Sequence, residues 1–336
     1  MSKTRRLELD IIRIIACIMV ITMHAPIPNH QANGLFLSSI SYLTAPCIGL
    51  FFMVSGSLLL PIKTDGIVFL KKRFTKVLFP TLFWTIFYIL SEYLISGKFG
   101  GIKTILSIPF SPQGNGILWF MYTLAGLYLL APIVSRWLDK ASKKEIELYL
   151  ILWGISTCYP LLELYLTTTQ GPTNILYYFS GYAGYFLLGF YFKQYPQCFS
   201  YKWRIPSCII ALAAPIYCKF NQIEVNFYQV FWYLSIFVVI MTITWFKLIH
   251  YLFHNKTFHF TIDNLSNLSF GIYLSHIFIM RQIIWRWEYI LQIENYILQT
   301  LTVIVLTFIG STLLSYLIAL LPWGDSIIGY KFKKTT

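Results

Sequence analysis

Apolar stretches of about the length needed to cross a bilayer follow one another along the whole chain, with only short connections between them. They fall near residues 9–28, 45–60, 77–95, 118–134, 148–166, 176–192, 205–220, 228–246, 267–285 and 298–321. Backbone donors and acceptors inside lipid find no water, so a spanning segment must bond to itself as a helix or close into a barrel. Apolar runs of this length select the helix. The predicted fold class is an all-α integral membrane protein, a single bundle of about ten transmembrane helices. Composition agrees, since 57% of residues are hydrophobic and only 12% charged, too apolar for an ordinary soluble domain. No connection reaches the roughly 50 residues that a separate soluble domain needs. Residues 1–336 therefore read as one transmembrane domain without a fused soluble part, and the first span is expected to be retained rather than cleaved.

The net charge of +13 could suggest nucleic acid, but the basic residues track the loops instead of one folded face. Sorted by the parity of ten spans, 20 of the 26 lysines and arginines fall on the side of the termini. Lys98, Lys103, Lys219, Arg281 and Arg286 fall on the other, and Arg13 lies within a span. The positive-inside bias then predicts that both termini are cytoplasmic and that the loop at 167–175 is external. The six cysteines show no paired ligand spacing and read as small buried hydrophobes. No metal is expected.

Ionisable residues inside a span are costly and mark function. On one helix, Arg13 and His24 fall within about 20° of each other and about 16 Å apart along the axis, with Asp10 within roughly 60° of both. This stripe predicts a polar passage through the first helix. His24 suits general-base work near neutral pH. Asp10 and Arg13, three residues apart, can pair, and the planar guanidinium of Arg13 can also fork onto phosphate. The entry to the third span carries Arg73 and Lys76 one turn apart, ordinary positive-inside charge taken alone and a phosphate cradle beside such a passage. In the ninth span, Ser269, Tyr273 and His276 make one polar stripe, and His276 is a second candidate for the reaction, able to stabilise a developing oxyanion. Glu92 and Glu163 lie near helix ends and are weaker candidates. There is no phosphate-binding glycine loop, HExxH motif or Gly-x-Ser-x-Gly elbow, which excludes the common ATP-driven and hydrolase types.

Several segments together resemble the acyltransferase-3 family of integral membrane acyltransferases. They are Leu9-Asp10-x-x-Arg13 followed by His24, Phe51 to Gly56, the basic entry to the third helix with Pro80, Leu118 to Tyr122, Gly184 to Gly189, and Ile272 to His276. Within the family the chain is most similar to the surface-polysaccharide O-acetyltransferases, the branch that includes the enterobacterial common antigen enzyme. The resemblance implies ten helices in a bacterial cytoplasmic membrane and acetyl-CoA, or another acyl-CoA, as cytoplasmic donor. The implied acceptor is a hydroxyl of a surface or lipid-linked glycan. Carried over, His24 is the essential histidine with Arg13 as its partner, while Arg73-x-x-Lys76 stands where the family carries two arginines. Lysine keeps the charge but lacks the planar fork. The rival reading is a transporter or flippase that conducts a proton or a lipid-linked sugar along the same stripe.

Overall fold

In a computed structural model the described residues are 6–28, 34–97, 101–112, 116, 118–163, 165, 166, 171–254, 256 and 260–332, and among them every regular element is helical. In chain order these are α1 (Leu7–His24), α2 (Gly34–Thr44), α3 (Pro46–Leu59), α4 (Gly66–Ser96), α5 (Gly101–Ser107), α6 (Trp119–Leu138), α7 (Lys143–Ser156) and α8 (Tyr159–Leu162). There follow α9 (Ala183–Gln194), α10 (Tyr201–Phe220), α11 (Phe227–Val230), α12 (Ile236–Phe253), α13 (Phe260–Phe278), α14 (Glu288–Leu291), α15 (Tyr296–Leu320) and α16 (Gly324–Ile328).

Each of the ten expected spans contains helix, though the one expected at 228–246 is continuous only from Ile236, and among the described residues six stretches are long and apolar enough to cross a membrane: Phe36–Leu59, Gly66–Ser96, Trp119–Leu138, Ile236–Phe253, Ile262–Arg286 and Tyr296–Leu320. The other four fall short for local reasons. α1 carries Glu8, Asp10 and Arg13 in 18 residues. The stretch expected at 148–166 breaks after Ser156, ahead of Pro160. The stretch expected at 176–192 begins as a 3₁₀ turn at Tyr177–Phe179, and Gly181 at φ +93° delays the helix to Ala183. α10 holds Pro206 and Pro215 and several polar residues.

Capping sets the ends of the long helices. Asp65 accepts hydrogen bonds from the Ile67 and Val68 amides to start α4, and Gly97 closes it in the left-handed conformation at φ +68°. Asn295 caps α15 in the same way through the Leu298 amide. Inside α4, Pro80 cannot bond to the Lys76 carbonyl, and Gly329, at φ +69°, approaches that freed oxygen so closely that an added Cβ would lie 3.1 Å from it.

The chain divides into two compact units, each assembled from three separated segments. The first comprises Met1–Met19, Gly34–Pro61 and Ala131–Phe258. In it α3 lies between α9 and α12, α10 packs on α12, and α7 packs on α9. Glycines set how closely α3 and α9 approach: an added Cβ at Gly56 would fall 1.7 Å from the Phe186 carbonyl oxygen, and one at Gly189 would fall 1.9 Å from that of Met53. The two backbones touch, as small residues allow when lipid supplies no hydrophobic drive between helices. Gly184 likewise receives the Trp153 ring, whose Nε1 donates to the Gly181 carbonyl at 2.8 Å.

The second unit comprises Val20–Asn33, Ile62–Leu130 and His259–Thr336. Here α13 runs antiparallel to α15, with Gly271 against Ser315 and Ile279 against Gly310, and α4 and α16 pack on this pair. Trp84 Nε1 donates to the Ile327 carbonyl at 3.0 Å, which fastens α4 to α16.

Candidate functional site

α1 ends at His24 because Pro26 disfavours helix at Ala25, whose amide turns back to the Thr22 carbonyl at 3.3 Å. The half-buried imidazole of His24 is thereby carried on the last helical residue. Within the second unit it meets His276 of α13, with ring centroids 5.8 Å apart and planes inclined by 37°. These two histidines, 252 positions apart, are the predicted site residues that the fold brings together.

His276 is 1% exposed. Its Nδ1 lies 2.5 Å from the Tyr273 carbonyl oxygen, which can only accept, so Nδ1 carries the proton and Nε2 presents a lone pair. That Nε2 is buried and makes no hydrogen bond with the described residues. Tyr273 stacks at a tilt on the same ring, and Phe120 meets Tyr273 edge-on at 5.3 Å. Ser269, Tyr273 and His276 are all buried, as their shared stripe predicts.

Beyond His276 the helix widens into a π-turn at Ile279–Ile283 and tightens into a 3₁₀ turn at Ile284–Arg286. The widening begins where a side chain enters the ladder. Tyr88 of α4 donates its hydroxyl to the Leu274 carbonyl at 2.8 Å and accepts from the Phe278 amide at 3.3 Å, so its oxygen spans the step that an α-helix closes directly. Arg281 lies within this π-turn, five residues beyond His276. Its guanidinium acts electrostatically on His24, His276 and Tyr88 and lies 5.6 Å above the Trp285 ring. The Arg281 Nε, the Gln282 Oε1 and the Trp285 Nε1 are buried without partners among the described residues. Sequence reasoning placed Arg281 among the external loop cations and passed over Tyr88.

The remaining candidates lie elsewhere. In the first unit, Arg13 and Asp10 pair at 3.6 Å, with 30% and 5% of their side chains exposed. In the second, Arg73 rests 5.7 Å over the Phe69 ring with its Nε buried and unpartnered among the described residues, while Lys76 is exposed. Fifteen residues of α4 separate Arg73 from Tyr88, about 22 Å of helix. A cavity of about 770 Å³ opens in the first unit, lined by Ser38, Tyr42, Leu212, Lys219, Glu224 and Phe231 among others, and it holds none of the histidines.

A buried acceptor nitrogen and a second imidazole, with a guanidinium whose charge reaches both, can take up a proton and stabilise negative charge. The sequence model of a family described as an acyltransferase domain matches residues 6–320 of the chain. No curated protein and no solved structure matches it.

Proposed function

The chain belongs to the acyltransferase-3 family and is a multi-pass membrane acyltransferase, and on that premise we propose that it moves an acetyl group from cytoplasmic acetyl-CoA to a hydroxyl of a surface or lipid-linked glycan. The observation that carries this reading is the His24–His276 pair with its unpartnered buried nitrogen. A hydroxyl set beside the pair could give its proton to an imidazole lone pair there. The surface-polysaccharide branch, the bacterial cytoplasmic membrane and cytoplasmic termini belong to the same proposal.

In this mechanism His24 removes the acceptor proton as the oxygen attacks the thioester carbon, and the bond to sulfur breaks to release the thiolate of coenzyme A. Neutral His276 presents only a lone pair at Nε2, so it accepts from a neighbouring hydroxyl of the acceptor and makes no bond to the reacting oxygen, whose one proton goes to His24. The developing oxyanion falls to Arg281, the cation that both histidines feel. Arg73, with an unmet buried donor, and Lys76 take the donor phosphates. The pantetheine arm would run from the phosphates at Arg73 towards the histidine pair. Arg13 keeps the role that the resemblance gives it, as the partner of His24, and Asp10, three residues before it, is its counter-ion.

Purified protein in detergent, given radiolabelled acetyl-CoA and a glycan acceptor without any ion gradient, should label the glycan. A flippase or proton-coupled transporter would leave it unlabelled. Arg73→Ala should raise the apparent KM for the donor about tenfold or more with kcat little changed, because a phosphate contact persists from ground state to transition state. An unchanged donor KM with a collapsed kcat would contradict the assignment. Lys76→Arg should be tolerated.

The proposed topology puts Thr173 outside. In a cysteine-free background, Thr173→Cys should react with an impermeant maleimide added to intact cells. Labelling that requires opened cells would reverse the orientation.

A further inference from the structure

The geometry points to a zinc site, formed by Glu8 of α1 with His250 and His254 of α12, that fastens the amino-terminal end of α1 to α12 within the first unit. The three side chains offer one carboxylate oxygen and two imidazole nitrogens, all within 4.8 Å of one another. The histidines stand four apart at the end of α12, which puts them on one face, with ring centroids 4.5 Å apart. Glu8 reaches them from 242 positions away, and its oxygen lies 3.8 Å from His250 Nδ1.

Glu8 is 4% exposed, an uncommon place for a carboxylate unless it is paired. Arg6 Nε donates at 2.7 Å to Oε1, the same oxygen that lies 3.8 Å from His250 Nδ1, so a zinc ion would share that oxygen with Arg6 or take Oε2. Donors held 2.0–2.2 Å from a tetrahedral zinc ion lie about 3.4 Å apart, a contraction from 4.8 Å that small side-chain rotations provide. Two nitrogens and a single carboxylate suit zinc and are too few oxygens for calcium or magnesium. Arg6 and Lys247 also act electrostatically on His250, so charge alone would not hold a cation here and the nitrogen donors must. Water would complete the coordination. The site shares no residue with the histidine pair and does not depend on the reading of the reaction.

The test uses full-length protein in detergent, stripped with EDTA, given zinc chloride and desalted before metal analysis and thermal unfolding. The wild type should retain one equivalent of zinc and melt at a higher temperature with zinc than without. His254 is exposed, so His254→Ala should fold normally, match the metal-free wild type in melting temperature, and bind zinc about 100-fold more weakly or worse. Glu8→Gln should weaken retention as well. Equal zinc content in wild type and His254→Ala, or a wild type that retains none, would overturn the site and leave the acyltransferase reading untouched.

Discussion

His24→Ala is expected to abolish acyl transfer while the protein folds and binds acyl-CoA as before. Alanine suits the last turn of α1, and among the described residues no hydrogen bond from His24 holds another helix. Loss of a general base typically costs 10²- to 10⁴-fold in rate, more than repacking a half-buried ring would. The informative companion is His24→Gln, which keeps hydrogen bonding but cannot accept a proton at neutral pH. Single-turnover transfer from labelled acetyl-CoA should be as slow for the glutamine variant as for alanine, with donor affinity close to wild type in both. Near-normal turnover by His24→Gln would make the histidine a scaffold and remove the proposed mechanism. Arg281→Gln should retain donor and acceptor binding and lose about 10²- to 10³-fold in kcat, the size of a lost oxyanion contact.

The largest structural effect is expected at the crossing of α3 and α9. A side chain at Gly56 or Gly189 would have to occupy space already taken by a carbonyl oxygen, with its first carbon 1.7 or 1.9 Å from Phe186 or Met53. Ordinary overpacking costs about 1–3 kcal/mol because neighbouring side chains can rotate away, but here the obstacle is main chain on both sides. Gly56→Val and Gly189→Val should therefore fail to give a monodisperse protein on size exclusion in detergent. Gly154→Ala is the control, since an added Cβ there meets nothing within 4 Å and alanine favours helix. A stable, monodisperse Gly189→Val would show that the two helices are not held as described.

The parts of this arrangement that were legible in the sequence are those governed by a single helix. Asp10, Arg13 and His24 share one period of 3.6 residues, as do Ser269, Tyr273 and His276, and both stripes lie on continuous helix. Arg281 escaped because the same period, carried through the π-turn, points it away from His276; no residue between them marks the widening. Its cause is Tyr88, a residue of another helix that reads as one more aromatic in an apolar run. Gly56 and Gly189 are visible as glycines but not as partners, because contact across 133 positions leaves no trace in local spacing. The same holds for Glu8 with His250 and His254. The apparent shortness of four spans has local causes, and of these Pro160 and the charges of α1 could have been weighed beforehand.

The interleaving of the two units bears on biogenesis. His24 is made near the start of synthesis and waits for His276, 252 residues later, before its unit can close; Val20–Asn33 belongs with His259–Thr336. Until His276 is made, His24 must find temporary shelter, in water at the bilayer surface or against an insertion factor, while Asp10 and Arg13 can already pair with each other. A ribosome stalled before residue 259 would hold a nascent chain with an intact first helix and no assembled histidine pair. Quality control of such chains could therefore act on α1 as the exposed signal, long after that helix itself was made.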